Sequence, residues 1–126
     1  RRDRFFTGMD IDFTLQNLDK ASLNTYNIIM DRITFAWDPN KNEINKRKHH
    51  VSFEEAQTVF YDDDALVIHD PEHSQEEDRF LILGFSMQAR LLVVCHCYRE
   101  SEAVIRIISA RKATRNESNQ YNEGRN

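Results

Sequence analysis

The chain has 126 residues, 40% of them hydrophobic and 30% charged, and its formal net charge at pH 7 is −4. This length suits one compact domain rather than two. No apolar run reaches the roughly 18 residues that a helical membrane span needs, and no signal-peptide pattern is present, so we expect a soluble, cytoplasmic protein. The negative charge argues against a general polyanion-binding protein.

The charge is unevenly distributed along the chain. Residues 62–78 contain eight Asp or Glu and no Lys or Arg, whereas residues 79–126 contain eight Lys or Arg and four Asp or Glu, a local charge of +4. This pattern predicts a basic sheet face beside an acidic segment.

The N-terminal part differs from the rest of the sequence. Within residues 1–29 only Ile11, Phe13 and Leu15 alternate as a possible short strand, and we interpret the segment as an extension of uncertain structure. Met30 precedes a polar pair and a strand pattern, which is a natural start for a compact domain. We therefore place the domain at residues 30–126.

The first elements of this domain are a strand and a polar helix. Residues 33–37 alternate as a strand with its apolar side chains on one face. Asp38 and Pro39 suit the N-cap and first position of a helix over residues 40–48. Ile44 is its main predicted apolar contact.

One face of this helix carries polar side chains at positions i, i+4, i+7 and i+8. They form either a solvated helix face or part of a surface that binds a polyanion. The four residues are Lys41, Asn45, Lys48 and His49.

Two capping boxes mark the starts of later helices. Ser52 and Glu55 open a helix that extends to residue 60, and Thr114 and Glu117 open a C-terminal helix. The apolar side chains of the first of these helices recur at helical spacing, so we assign them to the core.

The intervening sequence has the pattern of a short strand followed by an antiparallel meander. The loop between them is rich in acids and His, which permits a metal site, although it lacks the spacing of a calcium loop. The predicted strands are residues 65–69, 79–85, 90–98 and 102–110.

The pairing of the last two strands determines which side chains meet. A three-residue connection would put His96 and Arg106 on one face, on a diagonal of about 7–8 Å between backbones. Arg111 lies five residues beyond Arg106, on the other face of an unbroken strand. It joins the same site only if the strand ends before it.

The two cysteines, Cys95 and Cys97, fall on one face of the predicted strand about 6.6 Å apart. This spacing is poor for an unstrained disulfide, so we expect two reduced core thiols. His96 between them points to the opposite face, which makes a metal site the less favoured alternative.

A half-buried arginine such as Arg106 needs an anion, which either a protein carboxylate or a ligand phosphate can supply. Near the chain end, Arg111, Lys112 and Arg115 lie close to the N-terminus of the last predicted helix, a setting that favours phosphate. The alternative is an ordinary C-terminal helix with surface cations.

A set of motifs occurs in one order along the chain. These motifs are Phe35-Ala36-Trp37-Asp38, Lys41, Asn45, Lys48-His49, Val51-Ser52-Phe53-Glu54, Ala56, Phe60, Glu77-Asp78-Arg79, Leu83-Gly84, Leu92-Val93-Val94, Arg106-Ile107-Ile108-Ser109-Ala110-Arg111, Ala113-Thr114, Glu117 and Tyr121.

In this order the motifs resemble the BrnT family of type II toxins, over about residues 30–123. The resemblance implies an α+β fold similar to the RelE-type ribonucleases: an antiparallel β-sheet with two N-terminal helices and a C-terminal helix packed on it. One departure is His50, where the family usually has Gly. A left-handed helix cap there would force His50 into a conformation that favours Gly.

The resemblance further implies a metal-independent endoribonuclease that inhibits translation and needs no cofactor. Its arginines would stabilise the transition-state phosphate, and other groups would transfer protons. For His96 a buried strand histidine is the alternative, and Glu77 can instead orient Arg79 through a salt bridge. The implied catalytic residues are Arg79, Arg106, Arg111, His49, His96 and Tyr121, with Lys48 a further candidate, and the RNA-binding residues are Lys41, Lys48, Lys112 and Arg115.

The implied partners are RNA and a BrnA-like antitoxin, which would form a hetero-oligomer with the toxin and bind operator DNA. A second hypothesis treats the arginines as structural. In that case the chain is a non-catalytic binding module that holds a DNA-binding antitoxin and acts as a transcriptional co-repressor.

Overall fold

The computed structural model describes residues 6–7, 33–70, 72, 77–99 and 103–124. Within these ranges the chain forms six strands, three α-helices and one 3₁₀-helix. In chain order they are β1 (Phe6–Thr7), β2 (Thr34–Ala36), α1 (Pro39–His49), α2 (Phe53–Gln57), the 3₁₀-helix (Thr58–Tyr61), β3 (Leu66–Asp70), β4 (Arg79–Phe85), β5 (Leu91–Arg99), β6 (Val104–Lys112) and α3 (Arg115–Gly124).

Helix α1 begins and ends as its sequence predicts. The Asp38 carboxylate accepts a hydrogen bond from the Asn40 backbone N–H at 2.8 Å, and Pro39 takes the first helical position. At the other end His50 has a φ of 60°, and its backbone N–H donates to the Lys46 carbonyl at 3.0 Å. His50 therefore adopts the left-handed cap itself, at a cost of about 1 kcal/mol relative to Gly.

The strands form one mixed sheet in the order β1-β3-β4-β5-β6-β2. Neighbouring strands are antiparallel, except that β2 runs parallel to β6. The predicted α+β fold class is confirmed, and the β2–β6 pair adds a parallel edge to the predicted antiparallel sheet.

The helices α1 and α2 and the 3₁₀-helix cover one side of the sheet, which we call the helical face. Its core joins apolar side chains of the helices and their connections to every second residue of the strands. The cluster comprises Val51, Phe53, Ala56, Val59, Phe60, Ala65, Val67, Ile82, Leu92, Val94, Ile105, Ile107 and Ala110.

Helix α3 covers one end of the opposite side, which we call the second face. Tyr121 of α3 packs there in a buried cluster with Leu66, Leu83 and Val93. The other end of the second face carries the charged side chains described below.

The predicted exposure of α1 is confirmed for Lys41 and Lys48 but wrong for Ile44 and Asn45. Ile44, predicted as its apolar contact, is 52% exposed, whereas Asn42 and Asn45 are each only 5% exposed. The Asn45 side chain donates to the Val51 and Ala110 carbonyls at 2.8 and 2.9 Å and accepts from the Ala110 N–H at 3.1 Å. These amides are buried because they satisfy backbone groups that the helical pattern does not reveal.

The predicted extension contributes to the sheet. Phe6 and Thr7 pair antiparallel with Val67 and Leu66 of β3. The possible strand at residues 11–15 and the predicted boundary between residues 29 and 30 lie outside the described residues.

Candidate functional site

The register of β5 and β6 differs from the predicted one. Cys97 lies opposite Arg106 and His96 lies opposite Ile107. Directly opposed residues share a face, so Arg106 lies on the second face and His96 on the helical face. The prediction that His96 and Arg106 share a face is wrong, because the strands pair with a different offset.

A β-bulge then changes the alternation within β6. Cys95 pairs with Ser109 while His96 pairs with Ile107, which leaves Ile108 without a partner. Beyond the bulge Arg111 lies opposite Val93, on the same face as Arg106. The strand therefore continues to Lys112, and the two arginines still share a face although five residues separate them.

Four residues form a line across the second face, which we call the arginine row: Asp70, Arg79, Cys97 and Arg106. Asp70 pairs with Arg79 and Cys97 pairs with Arg106. Phe80 pairs with His96 in the antiparallel β4–β5 register. The preceding residue, Arg79, therefore lies beside Cys97, the residue that follows His96. Since adjacent strands are about 4.8 Å apart, the Arg79 and Arg106 backbones lie about 10 Å apart and flank Cys97.

The carboxylate of Glu77 lies beside the arginine row. Its Oε2 accepts from Arg99 Nη2 at 3.0 Å and from the Cys97 thiol at 3.6 Å. Its Oε1 is 4.0 Å from Arg79 Nη2. Glu77 therefore contacts Arg99 more closely than Arg79, its predicted partner.

Arg106 is half-buried, and no hydrogen bond or ion pair joins its guanidinium to another residue in the described part of the chain. Its position between Cys97 of β5 and Ala36 of β2 keeps its backbone inside the sheet. Its unneutralised guanidinium therefore has donors available to an anion that approaches the second face.

Arg111 has its anion within the protein. Its Nη1 and Nη2 donate to the two carboxylate oxygens of Glu117 at 2.8 and 2.9 Å. Burial alone would raise the pKa of Glu117, but the hydrogen bonds from Arg111 and Thr114 lower it overall. The Glu117 hydrogen bond correspondingly raises the pKa of Arg111. Along β5, Arg111 lies about 13 Å from the arginine row.

His96 is a core residue. It is fully buried, and its ring lies edge-on to Phe60 with centroids 4.8 Å apart. Nδ1 is 3.1 Å from the Val94 carbonyl oxygen and Nε2 is 3.2 Å from the Tyr98 hydroxyl. Burial lowers the pKa of His96 to about 4, so the ring is neutral near pH 7. The alternative of a buried strand histidine fits this geometry, and the ring does not reach RNA.

Tyr121 is also structural in its placement. The residue is 2% exposed, and its hydroxyl donates to the Asp62 carboxylate at 2.6 Å. The same carboxylate oxygen accepts from the Phe85 backbone N–H at 2.8 Å. Asp62 thus fastens α3 to the end of β4, and the predicted catalytic use of Tyr121 conflicts with this burial.

The remaining predicted cations are dispersed. Lys41 and Lys48 are exposed on α1, and His49 is half-buried at the end of that helix, towards the Lys112 end of β6. Lys112 is exposed on the helical side. The pKa of Glu55 is lowered mainly by its hydrogen bond from Arg90 and, to a smaller extent, by the nearby charge of Lys112. These side chains do not belong to the arginine row.

Cys95 and Cys97 are both reduced and share the second face, as predicted. Burial raises the pKa of Cys95 to about 11 and also raises the pKa of Cys97, so neither thiol is an ionised nucleophile near pH 7. No cluster of three or more metal-binding side chains occurs in residues 6–7, 33–70, 72, 77–99 and 103–124.

Sequence reasoning missed Arg99 and Asp70 as members of this surface. Both lie at strand ends next to turns, where charged side chains are common and carry no distinctive signal. The alternation of Cys95, Cys97 and Arg99 along β5 could have placed Arg99 on the face of the thiols. Asp70 becomes recognisable only once its pairing with Arg79 is known.

The fold and the arginine row define an α+β protein with a cationic sheet face. The chain belongs to the BrnT family, because the family profile described as "Ribonuclease toxin, BrnT, of type II toxin-antitoxin system" matches residues 37–117, well over half of the sequence. It is thus a ribonuclease toxin of a type II toxin–antitoxin system at the family level, and such systems pair the toxin with an antitoxin.

The crystal structure of the Brucella abortus ribonuclease toxin, BrnT, at 1.1 Å resolution has a similar fold. It matches with a TM-score of 0.51 and 22% sequence identity, over 66% of this chain and 99% of that one. No curated protein matches the chain. None of the described helices is long and apolar enough to cross a membrane.

Proposed function

We propose that this toxin is a metal-independent endoribonuclease that cleaves RNA on its second face and thereby inhibits translation. Metal-free cleavage through the 2′-hydroxyl needs cations at the phosphate, where negative charge develops in the transition state. The arginine row supplies Arg79 and Arg106 on both sides of one position, so a phosphate above Cys97 would receive donors from two strands.

The observation that supports this proposal is that the Arg106 guanidinium is not neutralised by any described residue. Among the described residues its guanidinium has no anionic partner, although it is half-buried on a strand that lies between β5 and β2. Arg111 on the same strand is neutralised by Glu117, so we assign it to supporting α3 and the second face rather than to direct phosphate contact. An unneutralised guanidinium is suited to binding two oxygens of a phosphate bidentately.

Proton transfer would fall to groups that RNA can reach. Of the predicted set, Lys48 and His49 are accessible but lie on α1, on the helical side of the sheet, whereas His96 and Tyr121 are buried. The carboxylates of Asp70 and Glu77 lie nearer to the arginines of the row.

The test is cleavage of an end-labelled single-stranded RNA in EDTA by wild type and by Arg106→Ala. We expect wild type to cleave and to leave a 2′,3′-cyclic phosphate, and Arg106→Ala to be slower by about 100-fold or more, the loss typical of removing one transition-state donor. Arg47→Ala, an exposed cation on α1, is the control and should cleave at the wild-type rate. Equal cleavage by wild type and Arg106→Ala would contradict the assignment.

We propose further that a BrnA-like antitoxin neutralises the toxin in a hetero-oligomer and carries the complex to operator DNA. The support is the family, whose type II systems include an antitoxin. Co-purification of the chain with the product of its neighbouring gene, followed by an operator-binding assay, tests this proposal.

A second candidate function is the non-catalytic binding module that acts as a co-repressor. The observation in its favour is that Arg111 and Arg99 are paired with carboxylates of the protein itself, as structural arginines are. A folded toxin that neither cleaves RNA nor arrests growth, yet strengthens operator binding by its antitoxin, would identify this function.

A further inference from the structure

Glu77 lies where an external anion would bind the second face. Two arginine side chains and one thiol surround its carboxylate: Arg99 at 3.0 Å, Cys97 at 3.6 Å and Arg79 at 4.0 Å. Cys97 belongs to the arginine row, and Arg99 follows it two residues later on the same face of β5. The carboxylate is therefore next to the position that the proposed function gives to the scissile phosphate.

The chemistry of this position is that of an oxyanion site. Each donor around Glu77 is one that would equally serve a phosphate oxygen, since guanidinium groups bind carboxylate and phosphate with the same geometry. The site is also accessible, because the side chains of Glu77, Arg79 and Arg99 are 35%, 31% and 46% exposed. An exposed ion pair of this kind is weak and exchanges readily for another.

We infer that Glu77 occupies a second phosphate subsite, which takes the RNA backbone phosphate next to the scissile one. In the free toxin the carboxylate holds Arg99 in place. When RNA binds, a backbone phosphate displaces the carboxylate and takes over Arg99. This inference rests on the proposed function and adds to it an RNA-binding residue, Arg99, and an internal competitor, Glu77.

Removing the competitor should strengthen RNA binding. The probe is a 2′-O-methyl oligoribonucleotide, which binds without being cleaved because it lacks the nucleophilic hydroxyl. For Glu77→Gln we expect at least about threefold tighter binding than wild type, the factor that corresponds to releasing an exposed ion pair. The slope of log affinity against log salt concentration should stay close to that of wild type, because Arg99 contacts a phosphate in both complexes.

The matched control is Glu43→Gln. It removes the same charge from a surface ion pair on α1, where Glu43 Oε2 lies 2.6 Å from Lys46 Nζ, away from the arginine row. Its affinity for the probe should stay close to that of wild type. An affinity of Glu77→Gln that is unchanged or weakened relative to Glu43→Gln overturns the inference.

Arg99 provides an independent test should Glu77→Gln fold poorly. We expect Arg99→Ala to weaken binding and to flatten the salt dependence by about 0.7, and to abolish the gain when it is combined with Glu77→Gln. Binding by Arg99→Ala that equals wild type in affinity and salt dependence contradicts the inference.

The failure of this inference differs from the failure of the proposed function. If Arg106→Ala weakens binding and cleavage while Glu77 and Arg99 variants behave like Glu43→Gln, the subsite is refuted and the nuclease assignment stands. If wild type does not bind the probe at all, both are refuted.

Discussion

Arg106 and Arg111 have different roles because only Arg111 has an anionic partner among the described residues. Both lie on β6 and both face the same side of the sheet. Glu117 neutralises Arg111 through two short hydrogen bonds, whereas no described side chain does this for Arg106. Substrate binding is therefore expected at the arginine that the protein leaves unneutralised.

His96 makes the fold sensitive to mild acid. Its pKa is about 4 in the folded protein because the ring is buried, against an ordinary value of 6.5 in the unfolded chain. Between these values the unfolded chain binds a proton that the folded protein excludes, so stability is complete above pH 6.5 and falls as the pH drops towards 4. We expect the free energy of unfolding in urea to decrease by about 2 kcal/mol from pH 7 to pH 5.

The control for this prediction is His96→Gln, in which an amide can bond to the Val94 carbonyl and the Tyr98 hydroxyl without titrating. Its absolute stability is not the readout; its change between pH 7 and pH 5 should be much smaller than that of wild type. A variant that loses as much stability as wild type over this interval would show that other groups carry the pH dependence.

At the scale of elements, β6 shows the limit of reading a strand from its sequence. Its apolar residues predicted a strand, and the structure has one over Val104–Lys112. The sequence did not show which face of the sheet each β6 side chain occupies. The offset to β5 depends on the connection between the strands, and the bulge at Ile108 has no signature in the sequence.

Helix α3 depends on its capping box, which the sequence did predict. The Glu117 backbone N–H donates to the Thr114 hydroxyl at 3.1 Å, and the Thr114 N–H donates to Glu117 at 2.9 Å. Thr114→Ala should lower the free energy of unfolding by about 1 kcal/mol, the usual cost of losing an N-cap. Urea denaturation measures this, with Asn119→Ala on the exposed side of the same helix as the control; a loss as large in Asn119→Ala would contradict a capping effect.

The other capping box is only half formed. Ser52 accepts from the Glu55 N–H at 3.0 Å as predicted, but the Glu55 carboxylate turns away from the helix start. It accepts from Ser86 at 2.7 Å and from Arg90 Nε at 2.9 Å. Arg90, 35 residues later in the chain, binds the Glu55 carboxylate in place of the helix start, and the local sequence cannot reveal such a distant partner.

At the scale of the whole molecule, features that depend on local sequence could be predicted, whereas features that depend on strand pairing could not. The bounds of β4 match the predicted strand at residues 79–85, and the reduced thiols share a face as expected. The arginine row requires three strand registers at once, and an error in any one of them disperses its members. Arg79 was therefore found from its family motif, Arg106 from both its strand and its motif, and Arg99 was missed.

The toxin assignment predicts a phenotype of the intact protein. Expression of the chain without an antitoxin should arrest bacterial growth, and Arg106→Ala should relieve the arrest while the protein still accumulates in soluble, folded form. Growth curves with immunoblots of the soluble fraction measure this. Arrest by a folded Arg106→Ala toxin as strong as that by wild type would exclude Arg106 from the toxic activity.

Asn45 also covers part of the edge of the sheet. Beyond the short strand β2, the edge of β6 would offer unpaired backbone groups, and such an edge is a template on which strands of other molecules add and aggregate. The Asn45 amide takes both backbone groups of Ala110 and so blocks strand addition at that point. A strand of another molecule therefore cannot form backbone hydrogen bonds with β6 at Ala110 while the Asn45 amide stays in place.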